Sequence, residues 1–454
     1  MSNSNSPIAP ARKHGSGGSR NKFRNYGSSK QGSNNRFSSH QERGGLQPKP
    51  RTDEPKVVAV DFLRLGISEG LAARLGANSI LHPTPIQEMA IPAALTGDDL
   101  IGLAQTGTGK TLAFGLPMLM TLAGNQQGLV LAPTRELAMQ IDETFRKLGV
   151  RTALLIGGAP MPKQISQLRG NPRVIVATPG RMQDHLNQRT ADLRDVQTVV
   201  LDEADRMLDM GFVAAIRAIL GKVPKGRQTM LFSATFPRSV EDISKDFMTD
   251  PTRVEIPRDT LTADTVTQEL IVVEKDDKPE ILTKLLKDND GSILVFARTR
   301  HGARKIAKSI NRQGHSAAEI HSDRTLAQRV TALNGFKSGE YRVLVATDIA
   351  ARGIDVKNIS LVINYDIPEH ADDYVHRIGR TGRAGKKGHS ITIATPEQHR
   401  DVRDIERLIK MKLDSSNLSQ ASLPEWQPKP QTPAKKRKFR PGGNRGGKAF
   451  AAKR

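Results

Sequence analysis

The sequence predicts an α/β protein with two parallel-sheet domains in tandem and a disordered basic tail at each end. Three observations support this fold class. The chain has 454 residues, more than one typical core holds and enough for two domains of roughly 150 to 200 residues. Short apolar runs alternate along it with longer stretches of helical period. Its net charge of +22 is concentrated near the two ends.

Positive charge gathers in the terminal segments. Residues 1–51 contain ten Lys or Arg and a single acid, residues 427–454 contain ten and no acid, and residues 52–426 carry only +3. Both ends are rich in Gly, Ser, Asn, Pro and Gln, so they have too few apolar side chains to offset the entropy of the chain. Segments 1–56 and 426–454 are therefore predicted to be disordered basic tails.

Cations alternate with aromatic rings in both tails, at Lys22-Phe23-Arg24 and at Lys438-Phe439-Arg440. Such rings can stack on bases while the cations contact phosphates. The net positive charge also favours a polyanionic partner, with nucleic acid first among the candidates. RNA binding by the tails is the favoured interpretation, and a purely solubilising role stays open.

Several functional classes are excluded by composition. The chain has no Cys, which rules out disulfides, thiolate zinc sites and cysteine nucleophiles and fits a reducing compartment. No apolar run approaches the roughly 20 residues that span a bilayer, and the N-terminus has no apolar segment typical of a secretion signal. We expect a cytoplasmic protein with no membrane association.

Two sets of short aliphatic or β-branched runs predict the strands of two parallel sheets, because they lack strict alternation and end in polar residues. The first set comprises residues 100–103, 128–132, 173–177, 198–201 and 229–232, and the second comprises 292–296, 341–346, 360–364 and 390–394. A helical stretch at 302–313 separates two runs of the second set. The polar segment 254–267 is the predicted linker between domain 1 (57–253) and domain 2 (268–425).

The segment AQTGTGKT follows the first apolar run and fits a phosphate-binding loop. Its small residues let backbone N–H groups close around phosphate oxygens. Lys110 can reach the terminal phosphates of ATP, and the Thr111 hydroxyl can ligate Mg²⁺. The strict pattern begins with Gly, where this chain has Ala. The predicted nucleotide contacts are Ala104, Gln105, Thr106, Gly107, Thr108, Gly109, Lys110 and Thr111.

Two adjacent carboxylates, Asp202 and Glu203, follow the run 198–201. At a strand end, one carboxylate can hold Mg²⁺, partly through water, while the other orients or deprotonates a water molecule. An acidic helix N-terminus would give the same pattern. Because a phosphate loop lies upstream, nucleotide hydrolysis is favoured, with Asp202, Glu203 and Lys110 as catalytic residues.

Taken together, the motifs resemble those of the DEAD-box ATP-dependent RNA helicases and cover most of residues 62–385. They are Phe62, PTPIQ at 83–87, PTRELA at 133–138, Gly157-Gly158, TPGR at 178–181, SAT at 233–235, VFART at 295–299, ATDIAARGID at 346–355 and HRIGRTGRAG at 376–385. The resemblance implies two RecA-like domains that close over ATP and single-stranded RNA. Within the family, the stretches around His321 and 401–410 resemble the bacterial RhlE-type subgroup.

The same resemblance implies roles for further residues of the nucleotide site. Phe62 and Gln87 match the adenine-recognising Q motif, and Asp355 matches a carboxylate that binds the ribose. Arg380 and Arg383 look like arginine fingers, since a spacing of three is one helical turn and would point both across the cleft.

The resemblance also implies a residue that connects the two lobes and a set of residues that contact RNA. His376 resembles the residue that relays between the lobes. Without the other motifs, Arg380 and Arg383 would be explained as part of a solvated helix face, and His376 as a structural histidine. The implied RNA contacts are Pro133, Thr134, Arg135, Gly158, Thr178, Arg181, Arg298 and Thr347.

Two segments depart from the usual family pattern. Ser79 and Ile80 stand where Gly and an aromatic residue are common, so the turn before PTPIQ is expected to differ locally. Ser322 and Leu326 replace a common Gly and Gln, although Arg329 is kept. Whether segment 321–329 contacts RNA or the other lobe therefore stays open.

The resulting expectation is an ATP- and Mg²⁺-dependent RNA helicase that opens short duplexes locally. Its sequence selectivity should be low because affinity comes from phosphate contacts. Expected partners are structured or ribosomal RNA and ribonucleoprotein or RNA-decay complexes. Two alternatives stay open: a double-stranded DNA motor on the same core, and an ATP-gated RNA clamp or annealing factor with little unwinding.

Overall fold

The computed structural model describes residues 58–105, 107–256, 266–351, 356, 359–382, 387–420 and 423. Both predicted basic tails lie outside these residues. The described part contains two parallel sheets, one in residues 58–256 (the first lobe) and one in residues 266–423 (the second lobe).

Seven strands form the sheet of the first lobe. They are β1 (Leu100–Leu103), β2 (Gln127–Leu131), β3 (Thr152–Leu155), β4 (Val174–Ala177), β5 (Val196–Asp202), β6 (Gln228–Ser233) and β7 (Thr252–Glu255). Their order is β3-β4-β2-β5-β6-β1-β7, and all of these pairings are parallel. Parallel pairing needs a crossover between successive strands, which the intervening helices supply.

Ten helices belong to the first lobe. They are α1 (Val60–Leu63), α2 (Glu69–Ala77), α3 (Pro85–Leu95), α4 (Lys110–Thr121), α5 (Arg135–Lys147), α6 (Met161–Arg169), α7 (Pro179–Asn187), α8 (Ala204–Asp209), α9 (Val213–Leu220) and α10 (Arg238–Phe247). Apolar side chains cover both faces of the sheet: Leu129 and Leu131 join one buried cluster, whereas Val130 joins the other.

The sheet of the second lobe also has seven strands. They are β8 (Val266–Val272), β9 (Ile293–Phe296), β10 (Ala317–Ile320), β11 (Val343–Ala346), β12 (Leu361–Asn364), β13 (Gly388–Ala394) and β14 (Asp414–Ser415). Their order, β10-β11-β9-β12-β13-β8-β14, repeats that of the first sheet strand for strand. The chain therefore contains the same fold twice.

The helices of the second lobe are α11 (Lys278–Asp288), α12 (Arg300–Arg312), α13 (Leu326–Ser338), α14 (Asp348–Ala351), α15 (Ala371–Ile378) and α16 (His399–Ile409), with a 3-10 turn at Pro396–Gln398. Val343 and Val345 pack into one buried cluster, and Leu344 and Ala346 pack into another. This sheet too is covered on both faces. None of the described helices has the length and apolar character needed to cross a bilayer.

All nine predicted strands and the helix predicted at 302–313 are confirmed. The strands that the sequence did not reveal are β3, β7, β8, β10 and β14, four of which lie at sheet edges. Edge strands are hard to predict from the sequence because their short, partly exposed segments lack a β-branched apolar run, as in TRVE of β7. The predicted linker 254–267 overlaps the end of β7 and the start of β8, and residues 257–265 lie outside the described part.

Candidate functional site

The phosphate loop connects β1 to α4, at the carboxyl end of the sheet. Gly107 and Gly109 have φ values of +89° and +93°, a left-handed conformation that glycine adopts without steric cost. The Thr108 hydroxyl donates to the Gln105 carbonyl oxygen at 2.8 Å. Helix α4 begins at Lys110, so its free N–H groups face the loop, as anion binding requires. Thr106 lies outside the described residues.

Lys110 links the loop to the catalytic carboxylates. Its side chain is buried, and its Nζ donates to the Ala104 carbonyl oxygen at 3.1 Å and lies 3.9 Å from Asp202 Oδ1. Thr111 follows in the first turn of α4 and is half-buried. The structure thus brings the predicted phosphate and Mg²⁺ residues together.

The segment PTPIQ holds the phosphate loop from the side. Thr84 and Gln87 form a capping box at the start of α3, and Gln87 Nε2 donates to the Gly109 carbonyl oxygen at 2.8 Å. A Cβ on Gly109 would lie 2.5 Å from Gln87 Nε2. Phe62 is fully buried in an apolar cluster with Leu75 and Leu116, and its contact with adenine stays a prediction.

Asp202 and Glu203 lie where β5 ends and α8 begins. Glu203 has φ +53° and ψ +54°, which is unusual for a residue with a side chain. Both side chains are buried. Asp202 Oδ1 and Glu203 Oε2 accept no hydrogen bond, and each lies 3.9 Å from a cation, Lys110 Nζ and Arg206 Nε respectively. Burial raises the pKa of Asp202 to about 6, against the opposing effect of Lys110. Buried carboxylate oxygens that accept no hydrogen bond are costly, so these two fit a site that a cation and a water molecule complete.

Asp205 connects this carboxylate segment to the SAT motif, a role that the sequence did not single out. Its Oδ2 accepts hydrogen bonds from the Thr235 backbone N–H and hydroxyl, both at 2.8 Å. Its backbone N–H donates to Ser233 Oγ at 3.2 Å. These hydrogen bonds join the start of α8 to the end of β6.

From the second lobe, α15 and the turn after it face these carboxylates. Burial lowers the pKa of His376, although the Asp205 and Glu203 carboxylates act in the opposite direction. Arg380 is buried, and its Nε donates to the His376 carbonyl oxygen at 3.2 Å. The prediction that Arg380 and Arg383 lie one helical turn apart is wrong, because α15 ends at Ile378. The partner, Arg383, and the predicted ribose ligand, Asp355, lie outside the described residues.

Arg377 is a buried residue that positions α15, and sequence reasoning did not single it out. It is 1% exposed, and its guanidinium binds the Asp348 carboxylate through Nε at 2.5 Å and Nη2 at 2.6 Å. The same group donates to the Asp366 carbonyl oxygen at 2.6 Å and lies over the Phe296 ring. In the sequence, its position one residue after His376 could have identified it. The ion pair of Arg377 with Asp348 holds α15 against α14.

Predicted RNA contacts of the first lobe converge at the N-termini of α5 and α7, which follow the adjacent strands β2 and β4. Thr134 caps α5, accepting a hydrogen bond from the Leu137 N–H, and Thr178 precedes α7. Gly158 has φ +82°, and a Cβ there would lie 2.7 Å from Arg135 Nη1. Pro133 and Arg181 lie beside these residues in sequence. Helix N-termini with nearby arginines favour phosphate binding.

The predicted RNA contacts of the second lobe lie on the side of this lobe that faces the first lobe. Arg298 follows β9 and Thr347 follows β11, and Arg298 Nη2 donates to the Ile367 carbonyl oxygen at 3.2 Å. Both line a cavity of about 730 Å³ that also contains Asp205 and Thr235 of the first lobe. His376 of the predicted ATP site lines the same cavity.

Mg²⁺ fits the residues present if ATP and water complete its coordination. Within the described ranges, no group of three or more His, Asp or Glu is arranged to hold a metal. Asp202 and Thr111 would supply two oxygen ligands. Mg²⁺ commonly binds through one or two protein oxygens together with substrate phosphates and water, so this small ligand set suits it.

Comparisons with known proteins show which family the chain belongs to. Residues 84–243 match the family model for DEAD/DEAH box helicase, and residues 277–385 match the model for the helicase conserved C-terminal domain. The DEAD-box ATP-dependent RNA helicase CshA of Bacillus cereus is 45% identical over 361 residues, which cover 78% of this chain and 69% of the relative. The finer resemblance to the RhlE-type subgroup is not confirmed by this relative.

Two solved structures have the same tandem arrangement. S. cerevisiae Dbp5 bound to RNA and ADP BeF3 is 31% identical, with a TM-score of 0.72 over 78% of this chain and 95% of that chain. Mss116p bound to ssRNA and AMP-PNP is 26% identical, with a TM-score of 0.73 over 80% of each chain. The two lobes are therefore tandem RecA-like domains, and the chain belongs to the DEAD-box ATP-dependent RNA helicases.

Proposed function

We propose that this RNA helicase opens short RNA duplexes locally, by holding one strand between the lobes while ATP is bound. One observation carries the proposal: His376 of the second lobe lines the same cavity as Asp205 of the first lobe, next to the buried carboxylates of the predicted ATP site. Closure of the lobes would thus complete the site of hydrolysis.

In this mechanism, Glu203 orients the attacking water and accepts its proton. Lys110 holds the terminal phosphates, and Asp202 and Thr111 hold Mg²⁺, which supplies positive charge to the phosphate oxygens when it is bound. Arg380, with Arg383, stabilises the charge that develops on the transferred phosphoryl group. Gln87 keeps the phosphate loop in place through the Gly109 carbonyl.

RNA would lie across the N-termini of α5 and α7 in the first lobe and along the facing edge of the second. Arg135 and Arg181 would contact phosphates, with Thr134, Thr178 and Gly158 supplying short polar or backbone contacts. Arg298 and Thr347 would do so from the second lobe. Contacts to the backbone alone give affinity without sequence selectivity.

Substrate and location belong to the same proposal. A structured or ribosomal RNA is the favoured substrate, with ribonucleoprotein or RNA-decay complexes as partners. The cytoplasm is the proposed location, supported by the absence of Cys from the sequence. RecA-like domains at 57–253 and 268–425 are the proposed units.

An unwinding assay tests the function against its alternatives. We expect ATP-dependent separation of short RNA duplexes, both blunt and with a single-stranded overhang, and little activity on DNA duplexes of the same sequence. Equal or better activity on DNA would support the DNA motor. ATP-dependent RNA binding with annealing but no strand separation would support the clamp and overturn the proposal.

A further inference from the structure

Helix α12 of the second lobe carries positive charge only. Its 13 residues include no carboxylate and five cations, all of them exposed: Arg300, Arg304, Lys305, Lys308 and Arg312. Residues 52–426, taken together, carry only +3. The charge of α12 is therefore a local feature of this helix and does not follow from the composition of the region around it.

The first lobe contains the equivalent helix, α5, which serves as an internal comparison. Strands β2 and β9 hold the same place in the two sheets, and α5 and α12 follow them. Both helices have 13 residues and begin after a capping threonine, Thr134 or Thr299. Yet α5 has three cations and three carboxylates, and Arg146 pairs with Asp142 one turn earlier at 2.8 Å. The fold therefore does not require a cationic helix at this place.

Four of the five cations recur every four residues, at positions 300, 304, 308 and 312. Side chains at this spacing lie on one face of a helix, where like charges destabilise it. At a rise of 1.5 Å per residue, the row is roughly 18 Å long, with roughly 6 Å between neighbouring positions. A strand of regularly spaced negative charges would relieve the repulsion along this basic face, which consists of the four residues and Lys305.

Only the first part of the basic face has carboxylates beside it. Arg300 Nη1 lies 2.7 Å from Asp323 Oδ1, and Arg304 Nε lies 3.7 Å from Glu319 Oε1. In the part of the chain that the structure describes, the three remaining cations of α12 have no carboxylate oxygen within 4 Å. The uncompensated charge is thus concentrated in the second half of the helix.

The basic face is continuous with the predicted RNA contacts. Lys305 and Arg298 line the same cavity of about 630 Å³, and Arg298 also lines the cavity that both lobes share. On the other side of α12, Lys308 and Gln328 line a cavity of about 620 Å³ between α12 and α13. Cationic and polar side chains therefore extend from the cleft along the outside of the second lobe.

We propose that the basic face of α12 is a second RNA-binding site, which holds the phosphates of RNA that leaves the cleft past Arg298. Its ligand is the sugar-phosphate backbone of the flanking RNA, whether single-stranded or paired. The continuity with Arg298 and the regular spacing of the cations favour a nucleic-acid strand over an acidic protein surface. The site rests on the RNA binding in the proposed function and extends it beyond the cleft.

RNA affinity of the full chain across a salt series tests the site. The variant Lys308→Gln/Arg312→Gln removes two charges from α12. Its matched control, Lys222→Gln/Lys225→Gln, removes two exposed charges from the loop before β6, at the amino end of the first sheet. Each protein is measured with the shortest single strand that fully stimulates ATP hydrolysis, and with RNAs that add a single-stranded or a duplex flank to it. Both tails are present throughout, so differences report on the substituted side chains.

We expect the α12 variant to bind flanked RNA roughly threefold to tenfold more weakly at low salt. The slope of log affinity against log salt should become flatter by about 1.4 for a single-stranded flank, at about 0.7 for each of two lost contacts. Affinity for the short strand, and the ATP hydrolysis that it stimulates, should match unchanged protein, which also shows that the variant is folded. Lys308→Arg/Arg312→Lys keeps both charges and should retain most of the affinity for flanked RNA.

Two results would overturn the second site. One is an α12 variant that binds flanked RNA as the Lys222→Gln/Lys225→Gln control does. The other is an equal loss of affinity for the short strand, since the cations would then act on RNA inside the cleft. A loss confined to the single-stranded or to the duplex flank supports the site and identifies the form of RNA that α12 binds. If unchanged protein does not separate RNA duplexes with ATP, the proposed function fails, whereas flank-dependent binding by α12 is still measurable.

Discussion

Glu203 shows how the site is built at the scale of single residues. Its left-handed backbone costs of order 1–3 kcal/mol for a residue with a Cβ, and its carboxylate is buried with one oxygen that accepts no hydrogen bond. The sharp turn this allows places Asp202 at the end of β5 and Asp205 in the first turn of α8. All three carboxylates thus lie at the carboxyl end of the sheet, near Lys110.

Gly109 gives the first testable prediction. Gly109→Ala would put a Cβ 2.5 Å from Gln87 Nε2 at a residue with φ +93°, so the phosphate loop should separate from PTPIQ. We expect ATP affinity, measured by calorimetry, to fall by at least roughly tenfold.

Gly97 provides a matched control for that variant. Its φ is +91°, but a Cβ there meets nothing within 4 Å. Both alanine variants should lose roughly 1–2 kcal/mol of unfolding free energy from the backbone conformation alone, and only Gly109→Ala should lose ATP affinity. Equal ATP affinities in the two variants would show that the contact with Gln87 is irrelevant to binding.

At the scale of elements, α15 is the part of the second lobe that reaches the catalytic carboxylates. Its position depends on Arg377, which joins it to Asp348 of α14 and to the end of β12. Because His376 and Arg380 flank this arginine, an error in its position would displace both from the first lobe.

Arg377→Lys is therefore predicted to damage stability and catalysis together. Lysine keeps the charge but cannot form the two-pronged contact with Asp348, and a broken buried ion pair typically costs roughly 3–5 kcal/mol. Urea unfolding and RNA-stimulated ATP hydrolysis measure the two effects. As a control, Arg407→Lys at an exposed position should change neither the stability nor the rate of ATP hydrolysis. An Arg377→Lys variant as stable as unchanged protein would refute the anchoring role of Arg377.

Much of the element order could be predicted from the sequence, and the failures have physical causes. Central strands such as β5 are buried on both faces, so their apolar runs are unambiguous. Edge strands such as β3 and β10 contain alanine or polar residues and take their conformation from the neighbouring strand. The carboxylates and phosphate loop were recognisable because their chemistry is local. Contacts between distant segments, such as the ion pair of Arg329 with Glu136, leave no local pattern.

At the scale of the whole molecule, one strand order occurs twice, and residues of both lobes line a common cavity. The terminal segments carry 20 of the 69 Lys and Arg residues, whereas the region between them is nearly neutral. RNA affinity should therefore divide into a salt-sensitive part from the tails and a nucleotide-dependent part from the lobes.

A salt series tests this division. If about half of the tail cations contact phosphates, counterion release predicts a contribution near −7 to the slope of log affinity against log salt, at about −0.7 per contact. A fragment of residues 52–426 should show a much flatter slope and weaker RNA binding, with ATP hydrolysis retained at saturating RNA. Parallel slopes for the fragment and the full chain would show that the tails act only as spacers.

The most direct test of ATP-driven closure on RNA is to separate binding from hydrolysis with Glu203→Gln. This change removes the base but keeps the size of the side chain and one acceptor oxygen. We predict that an ATP analogue still increases RNA affinity in the variant as it does in unchanged protein, while ATP turnover collapses. Undiminished turnover in Glu203→Gln, or an RNA affinity of unchanged protein that is indifferent to the nucleotide, would contradict the account.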